Sequence, residues 1–250
     1  MKVLLVCIYS LLTFAPASQS SPLSENGDVT SNLRRKRSYN GEIVRVEDYP
    51  YVVSIGEHAC AGALITRRLV LTAGHCTRRS SYVKVFTSGM EESYTISRRI
   101  PHPSYKLSNG WIAVHDIGLF VLSEPVKDAQ VIKLPPKNFK VPTGVFARSF
   151  GWGETEHESY SEDLRKLVLP ISYYGSYCRK GDEYNSLWIC SNSGEKHLCS
   201  GDSGGPLVWN NYVVGIASMG AVRCKLHAPS IFTKVAAYRN WIDKYTAEYR

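Results

Sequence analysis

Three short stretches carry residue types that do chemistry together. Gly201-Asp202-Ser203-Gly204-Gly205-Pro206 sets a serine among glycines. A serine hydroxyl is a poor nucleophile, so it must stand on a tight turn whose backbone N–H groups can face a developing oxyanion, and flanking glycines permit that approach. A phosphate-cradling loop does not fit, because no lysine follows the glycines and no helical pattern begins there. Thr72-Ala73-Gly74-His75-Cys76 offers a histidine after an apolar run, beside a cysteine that can fix its position. His115-Asp116-Ile117-Gly118-Leu119 offers an acid at the mouth of another apolar run. Taken singly, such a turn, histidine or aspartate is ordinarily structural. Their order along the chain, His then Asp then Ser, is that of one of the known triads.

Groups so far apart in sequence meet only if a fold brings them together. From residue 40 onward the chain is a series of short runs rich in Val, Ile, Tyr, Phe and Thr, punctuated by Gly, Pro, Asn and Ser. Examples are Tyr51–Ile55, Leu69–Ala73, Tyr82–Thr87, Ile117–Leu122, Val145–Phe150 and Tyr212–Ala217. Runs of this length between turn signals predict an all-β sandwich or barrel. Only the end differs: Val235, Ala236, Tyr238, Trp241, Ile242 and Tyr245 recur at helical spacing, which predicts a C-terminal amphipathic helix. Pro125, Pro135, Pro136 and Pro142 stand among Lys and Asn, and the stretch 127–143 reads as a connector between two halves, 38–126 and 144–235, with the helix at 236–250.

The chain has 250 residues, 44% of them hydrophobic and 21% charged, the composition of an ordinary globular protein. Its formal charge is +8, but the first 37 residues hold five of the bases and only two of the acids. The excess that remains is modest and scattered, and no aromatic stack interleaves with a basic stripe, so nucleic-acid binding is not expected. Lys2, the apolar run Val3–Ala15 and the small residues around Ala17 have the order of a secretory signal, 1–17, too short to span a bilayer. Residues 18–33 carry almost no core-forming side chains, and Arg34-Arg35-Lys36-Arg37 follows them. The reading is a propeptide, 18–37, cut by a processing protease after Arg37 to leave Ser38 as the new N-terminus of an exported protein. Of seven cysteines, Cys7 leaves with the signal, and six in an oxidising compartment imply three bridges without fixing their pairing. Cys178 and Cys190 lack the companion ligands of a zinc site. The adjacent Glu91 and Glu92 read as a solvated turn, and no Asn-x-Ser/Thr sequon occurs.

On these stretches, together with Pro50-Tyr51, Gly151-Trp152-Gly153, Ser218-Met219-Gly220, Phe232-Thr233-Lys234-Val235 and Trp241-Ile242, the sequence resembles the chymotrypsin-like serine endopeptidases from about Pro50 to its end. The resemblance implies two six-stranded antiparallel β-barrels with a C-terminal helix and a cleft between the barrels. It implies Ser203 as nucleophile, His75 as general base and then acid, and Asp116 as the carboxylate orienting the imidazole, while the neighbouring His115 is a decoy. The N–H groups of Gly201 and Ser203 would form the oxyanion hole, and Ser218 would lie beside the aspartate. The implied bridges are Cys60–Cys76, Cys178–Cys190 and Cys199–Cys224. Substrates would be proteins or peptides, and protein inhibitors would be further partners. No metal, organic cofactor or membrane association is implied.

Two features depart from the family pattern. His197 stands where trypsin-type members carry an aspartate at the floor of the primary specificity pocket, and Ser230 replaces a common wall glycine, so a preference for neutral residues and not Lys or Arg is expected, the alternative being a cationic floor that selects an acidic side chain in mild acid. Met219 stands where tryptophan is common, and Gly220 is expected to leave the pocket entrance open. In the family the new N-terminal ammonium inserts and pairs with the acid before the serine, here Asp202. Ser38 supplies the ammonium but lacks the usual apolar side chain, whose burial is worth about 1.5–3 kcal/mol. A cut before Ile43-Val44 would restore an apolar start, yet leaves the segment five residues short and a glutamate before the bond. The expectation is a secreted endopeptidase; the alternative is a weakly active or inactive protease-like binding protein.

Overall fold

The computed structural model describes residues 41–87, 89–108, 112–155, 160–172, 185–192, 194, 196–220 and 229–249. The chain divides into Met1–Lys36 and Arg37–Arg250, and every described residue belongs to the second unit. The expected signal, the propeptide with Arg34–Arg37, the Ser38 terminus, Cys178 and Cys224 all lie outside the described residues.

Strands β2 (Val52–Ile55), β3 (Cys60–Leu64), β4 (Leu69–Thr72), β5 (Tyr82–Thr87), β6 (Met90–Pro101) and β9 (Gly118–Leu122) form a closed antiparallel barrel in the order β2-β3-β4-β9-β6-β5. The sequence pattern explains how each strand sits. In β5 the residues alternate, with Val83, Val85 and Thr87 buried and Tyr82, Lys84 and Phe86 partly exposed, the signature of a strand with one face on the core. In β2, β3, β4 and β9 every residue is buried, because the second face is covered as well. A small hairpin, β7 (Lys106–Ser108) and β8 (Ile112–Val114), stands apart from the barrel.

The second half contributes β10 (Phe146–Gly151), β11 (Arg165–Pro170), β12 (Trp188–Ser191), β13 (Pro206–Trp209), β14 (Tyr212–Met219) and β15 (Ser230–Lys234). With β1 (Glu42–Ile43) they form a seven-stranded sheet in the order β1-β11-β10-β13-β14-β15-β12. Among the described residues, a bridge between Ile171, just past β11, and Ser191 of β12 brings the two sides of the sheet together, supported by Ser172 N–H to Cys190 O at 2.8 Å. The first half is therefore a closed barrel, whereas the described residues of the second form a half-barrel sheet. Residues 42–43, expected in the first barrel, pair instead with Lys166 and Arg165 of β11, where a sheet edge offers unpaired backbone groups. The β13–β14 hairpin turns on Asn210 and Asn211, both with positive φ (48° and 61°), the two-residue turn that matches strand twist. Glu91 and Glu92 lie within strand β6 and not in a turn; Glu91 pairs with Lys84 at 3.1 Å and Glu92 accepts from the Tyr94 hydroxyl at 2.6 Å.

One apolar cluster runs from the barrel through Phe150, Trp152 and Ile216 of the sheet to Val235, Tyr238 and Ile242. The helix α1 (Arg239–Glu248), preceded by a 3-10 turn at Val235–Tyr238, thereby packs its apolar stripe on the core. Among the described residues no helix is long and apolar enough to cross a membrane. Phe120 is fully buried in β9, while Phe146 on the outer face of β10 is 65% exposed. Phe120→Ala should lower the unfolding free energy by about 3–5 kcal/mol and Phe146→Ala by less than about 1 kcal/mol, read from urea midpoints.

Candidate active site

Asp116 precedes β9 and has no exposed surface. A buried carboxyl group must be matched by donors, and it is. His75 donates its backbone N–H to Oδ1 at 2.9 Å, and His75 Nδ1 lies 2.8 Å from Oδ2. Ser218 donates its hydroxyl to Oδ2 at 2.6 Å, and Thr233 donates its hydroxyl to the Asp116 carbonyl at 2.8 Å. With Asp116 Oδ2 accepting, the Nδ1 proton sits toward the acid and Nε2 is left as the free base of the imidazole. His75 itself rides on a 3-10 turn, Gly74–Arg78, fixed by Thr77 Oγ donating to Gly74 O at 2.7 Å and by the Cys60–Cys76 disulfide. The neighbouring His115 faces elsewhere: its ring stacks on His102 at 5.4 Å, and its Nδ1 lies 3.1 Å from the Tyr238 hydroxyl.

Ser203 reaches the same region from the other half. Its carbonyl accepts Ala61 N–H of β3 at 2.7 Å, and Gly204, with φ +80°, lies so close to Thr72 and Ala61 that a Cβ there would overlap both. The turn holding the serine is thus seated against β3 and β4, just before His75. His75 Nε2 and Ser203 Oγ are not hydrogen-bonded to each other among the described contacts, a common feature of substrate-free sites. The turn's donors are divided. Asp202 N–H goes to Cys199 O at 3.1 Å, Gly204 N–H to Ala217 O at 2.8 Å and Gly205 N–H to Asp202 O at 3.0 Å. The N–H groups of Gly201 and Ser203 donate to no described protein atom.

Asp202, only 3% exposed, accepts N–H from Gly153 and Cys199, each at 2.9 Å. A side chain at Gly153 would overlap this carboxyl group, so the glycine is required for the close approach. Burial pushes the Asp202 carboxyl up to about 6, against the pull of the Cys199 and Gly153 N–H groups and the Arg165 guanidinium. Arg165 also donates to Ser161 Oγ at 2.8 Å and to the carbonyl of Gly41, at the start of β1, at 3.5 Å. Beside Gly201, His58 stacks on Trp152 at 5.1 Å and shares a 2.9 Å hydrogen bond with Ser54; burial holds its imidazole below the usual value.

His197 is 2% exposed, and the Ser230 hydroxyl accepts Leu198 N–H at 2.9 Å, so it is consumed in holding the segment that carries His197. A Cβ on Gly220 would lie 2.8 Å from Leu198 Cβ, so the missing side chain permits close packing there. Met219 accepts Ala113 N–H on its sulfur at 3.3 Å and packs beside Ile112 and Leu187. Cys190 and Cys199 are both disulfide-bonded. The supporting roles of the Thr233, Thr72 and Ser54 hydroxyls were not legible in the sequence: Thr72 and Thr233 lie inside motif stretches, but nothing there shows which acceptor their hydroxyls meet.

Comparison with known proteins agrees with this frame. The family model described as Trypsin matches residues 39–242. The vitellin-degrading protease of Bombyx mori is 27% identical over 262 residues, covering 96% of this chain and 93% of that protein. Mast cell protease 2 of Meriones unguiculatus is 32% identical over 201 residues, 76% of this chain and 79% of that protein. Kallikrein-2 of Homo sapiens is 31% identical over 236 residues, 84% and 90% respectively. A match over this much of the sequence, on a closed barrel and a half-barrel sheet with a C-terminal helix, settles the affiliation: the chain belongs to the trypsin family of serine endopeptidases.

Proposed function

We propose that the protein is exported as a precursor, is cut after Arg37, and then hydrolyses peptide bonds of protein or peptide substrates with Ser203 as nucleophile, His75 as base and acid, and Asp116 as the orienting carboxylate. The observation that carries this reading is the fully buried Asp116 carboxyl group holding His75 Nδ1 at 2.8 Å, which leaves Nε2 to take a proton. The serine hydroxyl adds to the scissile carbonyl as its proton passes to His75. The oxygen that becomes negative is met by the N–H groups of Gly201 and Ser203, the two in the turn with no acceptor among the described residues, each contributing on the order of 3 kcal/mol to lowering the barrier. His75 then returns the proton to the leaving amine, and water repeats the sequence on the acyl-enzyme.

The pocket reading rests on His197 and Ser230. A buried floor bearing an imidazole, with a wall hydroxyl already bound to the backbone, offers no carboxylate to pair with Lys or Arg and leaves less depth than a glycine wall would. Cleavage after neutral residues is expected; a peptide-library profile dominated by Arg or Lys before the scissile bond would refute it. Ser203→Ala should lower turnover by roughly a million-fold with folding intact. A second reading, a protease-like binding protein, is favoured by the Ser38-Tyr39 start, whose poor apolar insertion would leave the active arrangement underpopulated. Rapid labelling of Ser203 by a fluorophosphonate in the processed protein supports the enzyme, and absence of labelling supports the binding protein.

Asp202 gives a pH signature. Its carboxyl group, ordinarily titrating at 3.8, titrates at about 6 in the uncut chain, so the folded form holds a proton that the unfolded form has released between those values. The stability this group contributes is therefore greatest below pH 4 and is lost as pH rises through 6, by on the order of 2–3 kcal/mol. Urea denaturation of the uncut chain and of its Asp202→Asn variant should agree near pH 4 and diverge by pH 7, with the variant the more stable. Equal midpoints at both pH values would remove Asp202 as a buried titrating acid.

A further inference from the structure

Two arginines follow the histidine turn. Arg78 ends the 3-10 turn that carries His75, and Arg79 caps it, its backbone N–H donating to Cys76 O at 2.9 Å. Both side chains are exposed, and neither has a partner among the described residues. A third guanidinium is pinned beside them: Arg99 of β6 donates from Nε and Nη2 to Ser80 O, at 3.2 and 2.7 Å, and Ser80 directly follows Arg79. The carboxyl groups adjoining this surface are engaged elsewhere. Glu57, on the turn whose Gly56 packs against Ser80, holds Tyr82 and Lys84, while Asp116 is buried and held by His75 and Ser218. Tyr105, whose ring lies against Gly74, registers both fields: burial and then Asp116 push its hydroxyl up, and Arg78 and Arg79 pull it down. Three cations therefore cluster around the end of the turn that carries His75, and among the described residues no carboxylate pairs with Arg78 or Arg79.

Chemistry fixes which part of a substrate meets them. The imidazole that accepts the serine proton hands it to the leaving amine, so that amine stands at His75. The chain beyond it passes over the elements flanking His75, which are the Gly74–Arg78 turn with Arg79 and, across the Cys60–Cys76 bridge, the start of β3.

We propose that Arg78, Arg79 and Arg99 form an anion-recognising surface that engages carboxylates of a peptide substrate on the leaving-group side of the scissile bond. This names the substrate class for the endopeptidase reading above and rests on it. Exposed ion pairs add little one at a time, but several like charges on a cleft edge steer encounter and select partners, with a salt dependence that marks them.

The test uses the processed protein and two quenched-fluorescence peptides, identical up to the scissile bond and carrying either Asp-Glu or Asn-Gln as the second and third residues beyond it, beside an anilide that ends at the bond. The acidic peptide should show a kcat/KM about five- to tenfold higher at low ionic strength, shrinking as salt is added. Arg78→Gln with Arg79→Gln should abolish the preference, whereas Lys137→Gln with Lys166→Gln, removing the same charge elsewhere, should keep it. Equal cleavage of both peptides while the anilide is turned over overturns the surface and leaves the enzyme reading standing. If nothing is turned over, the enzyme reading fails, and fluorescence anisotropy of the two peptides decides the surface: tighter binding of the acidic one, lost in the arginine double variant, supports it, and equal binding overturns it. Arginine-dependent binding of a sulfated polysaccharide without any peptide preference also overturns it, assigning the cations to a polyanion.

Discussion

The structure depends most on how one carboxyl group without solvent is satisfied. Asp116 sits where the barrel meets the sheet, and its oxygens can be stabilised only by donors that the rest of the chain delivers. The carboxyl donors come from both halves, His75 from the turn after β4 and Ser218 from β14, while Thr233 of β15 holds the Asp116 backbone carbonyl. Meeting the need of the acid therefore fixes the imidazole's direction and tautomer and the seam between barrel and sheet. A site held this way is preorganised before any substrate arrives, which is the condition under which fixed dipoles stabilise a developing charge.

A second buried acid faces the opposite requirement. Asp202 has two backbone donors and a distant guanidinium, too little to favour its ionised form fully, and so its carboxyl group titrates near 6. It stands next to the proposed nucleophile in a turn where the N–H groups of Asp202, Gly204 and Gly205 are committed to Cys199, Ala217 and Asp202. β1 is paired with β11, and the Gly41 carbonyl just before it accepts from Arg165.

The surfaces around the cleft differ in character. His197 and Ser230 are buried, the Ser230 hydroxyl is held by Leu198 N–H, and Met219, Ile112 and Leu187 pack against the small cluster of Trp188, Cys190 and Ile231. Beyond His75 the surface is cationic through Arg78, Arg79 and Arg99.

The strands and the chemistry-bearing residues were legible from local pattern, because alternation of buried and open positions, turn residues and a glycine-framed serine are short-range properties. Tyr82–Thr87 coincides with β5, and the helical spacing near the C-terminus marks the 3-10 turn and α1, which the structure begins at Arg239. Pairing was not legible. That residues 42–43 join β11, that a bridge between Ile171 and Ser191 brings the two sides of the second sheet together, and that Gly220 permits packing against Leu198 all depend on which backbone edges and atoms meet across long separations. The same holds for Thr233 on Asp116 and for Arg99 beside Arg79, since hydroxyls and guanidinium groups acquire a role only from the neighbour that tertiary folding supplies. Residue type and spacing set which chemistry-bearing groups this chain has; burial and contact decided which of them meet.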